Sequence, residues 1–269
     1  MTPAILPHMA NIDQHAPGSF CWFELATSDQ NAAKSFYGSL FGWDAADMPM
    51  GPGEFYTMFR LEGRDAGAAY TLRPEMKAQG IPPNWAIYIA VANADDSAAK
   101  AGQAGGQVLA PPFDVFDVGR MAPVLDPTGA AFCLWQDKRH HGVGIDGVPG
   151  TFCWADLCTK NVEAAATFYR DVFGWQIAPG EHDSSGYLHI KNGDTFIGGI
   201  PPAEHQNPNV PPHWMLYFYV SNVADSTAKA KQIGATVLMG PMAIEKVGDM
   251  SVIADPQGAT FALFTPAPK

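Results

Sequence analysis

The sequence predicts an α+β protein in which one domain occurs twice in tandem, and each copy reads as two β-α-β-β-β modules. A long repeat is the first observation: FCWFELATSDQNAAKSFYGSLFGW at 20–43 and FCWADLCTKNVEAAATFYRDVFGW at 152–175 are identical at 12 of 24 positions. The match resumes later, where 82–109 aligns with 211–238 and 126–135 aligns with 255–264. In both copies, short aromatic runs with strand-like alternation flank helical patterns.

In the first copy, the opening run SFCWFELAT alternates as a half-buried strand does, and Asp29 follows as a helix N-cap. Shorter strands such as GEFYTMFRLEG come after the helix. A second cycle starts at Trp85, its helix is capped near Asp95, and Asp126 opens the turn into the last strand. The first helix ends at Gly42, and its apolar face consists of Ala32, Ala33, Phe36, Tyr37, Leu40 and Phe41.

The second copy has helix boundary and turn residues at the same places. Its first helix lies between Asn161 and Gly174, its second cycle starts at Trp214 with a cap near Asp225, and Asp255 opens the final turn. Between the copies, the stretch QDKRHHGVGIDGVPG is polar, rich in glycine and without periodicity. We therefore divide the chain into a leader at 1–17, a first domain at 18–136, a linker at 137–149 and a second domain at 150–269.

Composition limits the partners. The chain has 269 residues, 47% of them hydrophobic, which is enough for a substantial core. Its net charge of −11 and its 16 Lys and Arg residues argue against a nucleic acid or an anionic membrane as the partner, and leave small neutral or cationic molecules open. We expect a cytoplasmic protein, because no long apolar run or signal-like leader occurs and the four cysteines are spaced as buried, reduced thiols.

The ordered set of a strand, a helix ending in FY…FGW, three further strands and a closing DP.G..F strand occurs in both copies. This set resembles the vicinal oxygen chelate superfamily, which includes glyoxalase I, bleomycin-resistance proteins and extradiol dioxygenases. The resemblance covers about residues 18–266. It implies that the two modules of each copy form one curved mixed sheet, a cup whose concave face holds a small ligand and whose convex face carries the helices.

Metal-dependent members of that superfamily carry His or Gln in the first strand of a module and Glu in its last strand. In this sequence the matching positions hold Trp22, Ala86, Cys133 and the stretch 68–70 in the first copy, and Trp154, Met215, Ala262 and the stretch 199–201 in the second. None of these positions holds the His, Gln or Glu that the superfamily uses there. We therefore expect no metal ligands and no cofactor, with a divalent ion held by other residues as the open alternative.

Strand alternation assigns side chains to the two cups. Glu24 and Asp156 stand two positions after the tryptophans and are the candidate catalytic residues, since an acid on an aromatic wall can act as a general base or hold an ammonium or hydroxyl donor. Alternatively, each acid bonds a neighbouring tyrosine or backbone amide, or meets bulk water. The side chains that we expect to contact a ligand are Trp22, Tyr88, Arg120, Cys133 and Trp135 in the first copy, and Trp154, Cys158, Tyr217 and Tyr219 in the second.

Arg120 is expected at the mouth of the first cup, where it would bind an anionic group or pair with Glu24; the alternative is a surface turn residue. The leading functional hypothesis is a protein, monomeric or homodimeric, that binds a small organic molecule in one or both cups without the superfamily's metal. A second hypothesis is a lyase, isomerase or hydroxylase-like enzyme acting on a reactive carbonyl compound such as an α-ketoaldehyde. A third is a structural or interaction protein whose cups are filled by its own side chains.

Overall fold

The computed structural model describes residues 12–180 and 185–268, so part of the predicted leader, at 1–11, lies outside the described residues. The first half contains β1 (Phe20–Thr27), α1 (Gln30–Phe41), β2 (Asp44–Gly51), β3 (Glu54–Leu61), β4 (Arg64–Thr71), α2 (Pro74–Ala78), β5 (Asn84–Ala90), α3 (Ala94–Gln103), β6 (Gln107–Val108), β7 (Phe113–Val115), β8 (Gly119–Leu125) and β9 (Ala131–Asp137). The second half contains β10 (Phe152–Cys158), α4 (Val162–Phe173), β11 (Gln176–Pro179), β12 (Leu188–Asn192), β13 (Thr195–Ile200), a 3₁₀ turn (Ala203–His205), β14 (His213–Tyr219), α5 (Val223–Gln232), β15 (Thr236–Ile244), β16 (Gly248–Ala254) and β17 (Thr260–Pro266).

Each half forms its own mixed sheet. The first sheet has the order β2-β3-β4-β1-β5-β9-β8-β6, with β7 paired to β8, and the second has the order β11-β12-β13-β10-β14-β17-β16-β15. The opening strand of each half, β1 or β10, pairs parallel with the fourth strand of its module and antiparallel with the first strand of the next module. The predicted α+β class and the tandem arrangement are confirmed. We call the concave faces of the first and second sheets cup 1 and cup 2.

Side-chain capping explains where the helices begin. The Asp29 carboxylate accepts from the amides of Asn31 and Ala32, each at 3.0 Å, as predicted. The caps near Asp95 and Asp225 are corrected: Asn93 and Asn222 cap α3 and α5, and both aspartates lie in the first turn. There they face the positive end of the helix dipole, which is the other position that favours an acid.

The helices lie between the convex faces of the two sheets, and the two halves share one core. Phe23 of β1 stacks on Phe152 of β10 with ring centroids 3.9 Å apart. Tyr37 of α1 contacts Phe261 of β17 at 5.6 Å between ring centroids. The mirror contact joins Phe132 of β9 to the rings of α4. Burial of this aromatic layer therefore stabilises both halves at once.

Two buried networks of side-chain hydrogen bonds connect the halves. The Tyr37 hydroxyl donates to Oδ2 of Asp255 at 2.9 Å and accepts from Nε1 of Trp85 at 3.0 Å. Its mirror is the Tyr169 hydroxyl, which donates to Asp126 at 3.1 Å and accepts from Trp214 at 3.0 Å. In each network the tyrosine of the FY pair binds the turn aspartate of the opposite half. We call these two hydrogen-bond networks the latches.

The residues between the sheets pack against the first half. The Val143 amide donates to the Cys21 carbonyl at 2.8 Å, and the Gly144 amide donates to the Asp65 carbonyl at 2.8 Å. The His140 ring stands edge-on to Trp22, with centroids 4.3 Å apart. The predicted linker is thus a strap across one end of cup 1. Across the described parts of the chain, the helices are all too short or too polar to span a membrane.

Candidate functional site

The floor of cup 2 carries a buried carboxylate that three donors share. Asp156 is 5% exposed and accepts from the Tyr187 hydroxyl at 2.5 Å, the Tyr217 hydroxyl at 2.7 Å and Nε1 of Trp154 at 3.1 Å. The same indole nitrogen also donates to the Tyr187 hydroxyl oxygen at 2.8 Å. We call these four residues the cup 2 cluster.

Strand pairing explains why the four side chains meet. Trp154 and Asp156 are two apart on β10 and therefore share a face. Tyr217 lies opposite Trp154 on β14. Tyr187 comes from the segment just before β12 and covers Gly199, which is the partner of Asp156 on β13. The cluster therefore gathers side chains from three neighbouring parts of one sheet.

Cup 1 repeats the arrangement. Glu24 accepts from the Tyr88 hydroxyl at 2.7 Å and is also hydrogen-bonded by Tyr56. Nε1 of Trp22 donates to the Tyr56 hydroxyl at 3.0 Å. The predicted alternative in which each acid bonds a neighbouring tyrosine is therefore the geometry observed in both cups. The two acids are nevertheless built into the concave faces, where strand alternation placed them.

Burial governs the electrostatics of both clusters. Desolvation raises the pKa of Asp156, while the hydrogen bonds from Tyr187, Tyr217 and Trp154 lower it in part. Desolvation likewise raises the pKa of Glu24, opposed by its two tyrosines and by the charge of Arg73. The tyrosine hydroxyls have pKa values raised well above 10, chiefly by burial and then by the adjacent acid. Each hydroxyl therefore stays protonated as a donor at neutral pH.

The predicted cup cysteines lie at the concave faces as protonated thiols. Desolvation and the nearby Glu24 raise the pKa of Cys133 to about 12, and desolvation raises the pKa of Cys158 to about 12. Because the thiolate is the nucleophilic form, neither thiol is activated at neutral pH. Both residues can still contact a ligand as small apolar groups, since both line the open cleft of cup 2 described next.

An open cleft of about 2260 Å³ runs along cup 2 and reaches Ala86 and Cys133 of the first half. This volume exceeds the ~300–1,000 Å³ of ordinary ligand pockets, so a small ligand fills only part of the cleft. All four members of the cup 2 cluster, Trp154, Asp156, Tyr187 and Tyr217, lie among its lining residues. Much of the remaining wall is apolar and includes Met215, Met239, Met242, Met250, Val252 and Phe264.

Trp135 and Tyr219, two further predicted ligand contacts, have different surroundings. Trp135 is buried, lies at 6.2 Å from the Tyr88 ring and donates from Nε1 to the His140 carbonyl at 3.0 Å, so it joins cup 1 to the strap. Tyr219 is half-buried at the end of β14, opposite Phe264, and does not belong to the cup 2 cluster. Its backbone instead pairs with Gly150 and Thr151 at the start of the second half.

The expected position of Arg120 at the mouth of cup 1 is wrong. Arg120 bonds Asp95 of α3 through Nε at 2.7 Å and through a second guanidinium nitrogen at 2.8 Å, and bonds Asp114 at 3.3 Å. It shares the convex face of β8 with the buried Ala122, since side chains two apart point the same way. It therefore does not pair with Glu24.

Sequence reasoning missed Tyr56 and Tyr187, although a signal for them existed. Met58 and His189 are equivalent positions in the two copies. Tyr56 stands two positions before Met58, and Tyr187 stands two positions before His189. A tyrosine repeated at the same place in two otherwise divergent strands marks a position with one role in both cups. His140 carried no comparable signal, because the strap has no counterpart in the second copy.

The residues at the superfamily's metal positions do not fit a divalent ion. The structure puts Trp22 and Trp154 on the cup floors with their indole N–H groups committed to tyrosine hydroxyls. An indole has no acceptor lone pair with which to ligate a cation. Across residues 12–180 and 185–268, no three His, Cys, Asp or Glu side chains lie close enough to share a metal ion. The polar groups that the two cup floors present are the acids and the tyrosines.

Replacing Gly199 with alanine is expected to displace Tyr187 from Asp156. A Cβ at Gly199 would lie 2.0 Å from the Tyr187 hydroxyl oxygen, so the phenol has to move. Its hydroxyl then loses the acid and the buried surroundings that raise its pKa. Ultraviolet phenolate titration should show one additional tyrosine ionising near pH 10.

The matched control is Ala68→Gly, because Ala68 occupies the equivalent register position beside Glu24 in cup 1. That substitution removes a Cβ rather than adding one and should leave the tyrosine titration unchanged. An unchanged titration in Gly199→Ala as well would contradict the packing of Tyr187 over β13.

Comparisons with known proteins agree with this architecture. The glyoxalase/bleomycin resistance protein/dioxygenase superfamily model matches residues 19–134, and a glyoxalase-like domain model matches residues 153–264. Among solved structures, the Mn(II)-bound glyoxalase from Novosphingobium aromaticivorans is 16% identical with a TM-score of 0.65, covering 95% of this chain and 83% of its own. The 2,3-dioxygenase LapB from Pseudomonas sp. KL28 is 14% identical with a TM-score of 0.63, covering 97% and 95%. At these identities both structures show the fold.

Full-length relatives are closer in sequence. A Mycobacterium tuberculosis protein named "Putative glyoxylase CFP32" is 41% identical over 267 residues, which span 97% of this chain and 100% of that protein. The anthracycline biosynthesis protein DnrV of Streptomyces peucetius is 32% identical over 262 residues, spanning 92% of this chain and 93% of that protein. With both halves matched and relatives aligned along nearly their whole length, the chain belongs to the glyoxalase/bleomycin resistance protein/dioxygenase superfamily.

Proposed function

We propose that this protein binds a small organic molecule in cup 2, and that it does so through the cup 2 cluster and without the metal site of its metal-dependent relatives. One observation carries the proposal. A buried acid held by two tyrosines and a tryptophan lies on the wall of an open, largely apolar cleft. A few convergent polar groups in an apolar concavity are the usual composition of a small-molecule site.

The cluster suits recognition because its geometry is fixed before a ligand arrives. Each tyrosine hydroxyl is fixed by Asp156, and the Trp154 indole ties Tyr187 in place. The ligand therefore does not have to order these side chains. Because that entropic cost is absent, a preorganised site binds its ligand more tightly. The name of the Streptomyces peucetius relative connects it with the biosynthesis of a small organic compound, which supports a ligand of that size class here.

A second candidate is an enzyme acting on a reactive carbonyl compound such as an α-ketoaldehyde. The observation that favours it is the raised pKa of Asp156, because burial makes this carboxylate a stronger base than an exposed aspartate. Asp156 would then take a proton from the carbon next to the carbonyl, which frees the Tyr217 hydroxyl proton from Asp156 to donate to the developing oxyanion. The name of the Mycobacterium tuberculosis relative, which calls it a glyoxylase, supports an enzyme as the second candidate.

Tryptophan fluorescence distinguishes the two cups. A ligand stacking in cup 2 should quench the emission of Trp154, and the quenching should disappear in Trp154→Phe while persisting in Trp22→Phe. A metabolite panel of aromatic and carbonyl compounds provides the probes. If no compound quenches the wild type, or if Trp22→Phe alone removes the effect, binding in cup 2 is wrong.

Turnover separates the binder from the enzyme. Methylglyoxal with and without added manganese or zinc tests the carbonyl reaction, and metal analysis of protein purified without a histidine tag tests the metal. Turnover that is independent of metal and lost in Asp156→Asn would favour the second candidate. One tightly held divalent ion per half would contradict the metal-free site.

The remaining attributes stay predictions. We propose a cytoplasmic location on the grounds that all four cysteines are free thiols, which suits a reducing compartment. A monomeric or homodimeric state is also proposed, since the duplication already unites two cups within one chain.

A further inference from the structure

We propose that the ligand of cup 2 is an apolar molecule that carries an ammonium group, and that this group binds Asp156. The inference rests on the proposed function, because it specifies the ligand class of the same site. It follows from three features of the cleft: the donors that are already committed, the missing countercharge and the composition of the wall.

The cup 2 cluster offers a ligand acceptors rather than donors. The hydroxyl protons of Tyr187 and Tyr217 point at the carboxylate of Asp156, and the indole proton of Trp154 is shared between this carboxylate and the Tyr187 hydroxyl oxygen. An ionised carboxylate has about four lone-pair positions, and three are used. The fourth position, on the oxygen that binds only Tyr217, and a lone pair of the Tyr217 hydroxyl remain for a donor supplied by the ligand.

Among the described residues, no cation pairs with this carboxylate. Its pKa is set by burial and by the three hydrogen bonds, with no contribution from a described lysine, arginine or histidine. The lysines on the cleft wall have other partners: Lys160 donates to the Pro208 carbonyl at 2.9 Å, and Lys246 is an exposed residue beside Glu245. Glu24 differs, since Arg73 lies close enough to lower its pKa.

A buried charge without a countercharge is costly, and an ammonium ion brought by the ligand relieves that cost. An anionic ligand would be repelled at the same place. The net charge of −11 acts in the same direction on the approach of the ligand. The cleft therefore selects a cation or a strong neutral donor over a carboxylate or phosphate.

The wall determines the rest of the ligand. Four methionines from β14, β15 and β16 line the cleft: Met215, which is the cross-strand partner of Asp156, and Met239, Met242 and Met250. Thioether side chains adapt to irregular apolar shapes and make favourable contacts with aromatic rings. Met239 and Met242 are 44% and 45% exposed, so the ligand's apolar part would cover surface that now meets water. An aromatic or alkyl amine satisfies both ends of the cleft.

Isothermal titration calorimetry with three matched probes tests the class: 1-naphthylmethylammonium, 1-naphthalenemethanol and 1-naphthylacetate. We expect the ammonium probe to bind at least about tenfold more tightly than the alcohol, and the carboxylate probe to show no measurable binding. Asp156→Asn should weaken the ammonium probe by at least about tenfold and change the alcohol by less than about threefold. Glu163→Gln, an exposed acid on α4, removes the same charge elsewhere and should leave all three affinities unchanged.

The outcomes separate the two proposals. If none of the three probes binds the wild-type protein, or if Trp154→Phe leaves the heat of binding unaltered, the site in cup 2 is wrong and the ligand class falls with it. If the carboxylate or the alcohol binds as tightly as the ammonium probe, cup 2 remains a binding site and the proposed class is wrong. Thermal unfolding of Asp156→Asn checks that the variant is folded at the temperature of the titration. A loss of affinity in a folded variant then reflects the lost carboxylate.

Discussion

Tyr37→Phe is expected to lower the free energy of unfolding by about 3 kcal/mol. The substitution removes one oxygen that serves two buried partners, Oδ2 of Asp255 and Nε1 of Trp85. Each group left without its partner costs ~1–3 kcal/mol, because burial excludes the water that would replace the bond. The ring itself remains, so its stacking on Trp43 and its contacts with Phe261 are preserved.

Urea denaturation followed by circular dichroism measures this loss. Tyr169→Phe is the mirror variant and should cost a similar amount, since Tyr169 serves Asp126 and Trp214 in the same way. Tyr219→Phe is the control: its hydroxyl makes no side-chain bond to a described residue, and its removal should change the free energy of unfolding by less than about 0.5 kcal/mol.

The pH dependence of the stability loss in Tyr37→Phe gives an independent test of the latch. Burial raises the pKa of Asp255, and the Tyr37 hydroxyl bond partly lowers it, so Tyr37→Phe raises it further. A raised pKa in the folded state means that stability is lost as pH rises through that pKa. The deficit of Tyr37→Phe should therefore be larger at pH 7.5 than at pH 4.5. Equal deficits at both values, or a deficit no larger than that of Tyr219→Phe, would contradict the latch.

The repeat made much of the architecture predictable. A doubled sequence read against strand and helix periodicity specifies two similar units, and alternation on β1 and β10 assigns Glu24 and Asp156 to the concave faces. These inferences depend on neighbours within a few residues, whose geometry the backbone fixes. The same local reasoning identified the helix boundary residues Asp29 and Gly42.

The latches could not be predicted in this way. Tyr37 and Asp255 are 218 positions apart, and nothing in either local pattern says that a helix of one half binds a turn of the other. The aromatic FY pair predicts only a buried helix face. The position of the strap is similarly a tertiary fact, because a polar, glycine-rich segment has the composition of a flexible connection.

The placement of Arg120 failed for a related reason. The stretch VGRM does not show on which face of the sheet Arg120 lies, because the partners that hold its side chain come from other elements. Asp95 on α3 and Asp114 on β7 decided the outcome by pairing with the guanidinium on the convex side. The tyrosines that complete the clusters, by contrast, were available from the repeat, and comparing the two copies position by position would have found them.

Gly142→Ala is expected to detach the strap from cup 1 and to lower the free energy of unfolding by about 2–4 kcal/mol. Gly142 has φ +113°, a conformation that side chains rarely adopt, and a Cβ there would lie 2.2 Å from the Cys21 carbonyl oxygen. That oxygen already accepts the Val143 amide at 2.8 Å, so β1 cannot withdraw without breaking the contact that holds the strap. The strain and the collision add, which places the variant among the large single-residue effects.

Two measurements identify the cause. Burial lowers the pKa of His140, whose ring stands on Trp22, so release of the strap should raise that pKa toward 6.5 in an NMR titration. Gly129→Ala is the matched control, because Gly129 has a similar φ of +102° with open space around it, and should cost only ~1 kcal/mol from backbone strain. If Gly142→Ala costs no more than this control, or if the His140 titration is unmoved, the strap does not depend on close approach at Gly142. A larger loss with a shifted His140 pKa would show that the segment joining the two halves also closes the end of cup 1, which leaves cup 2 as the more open of two cups built from the same repeat.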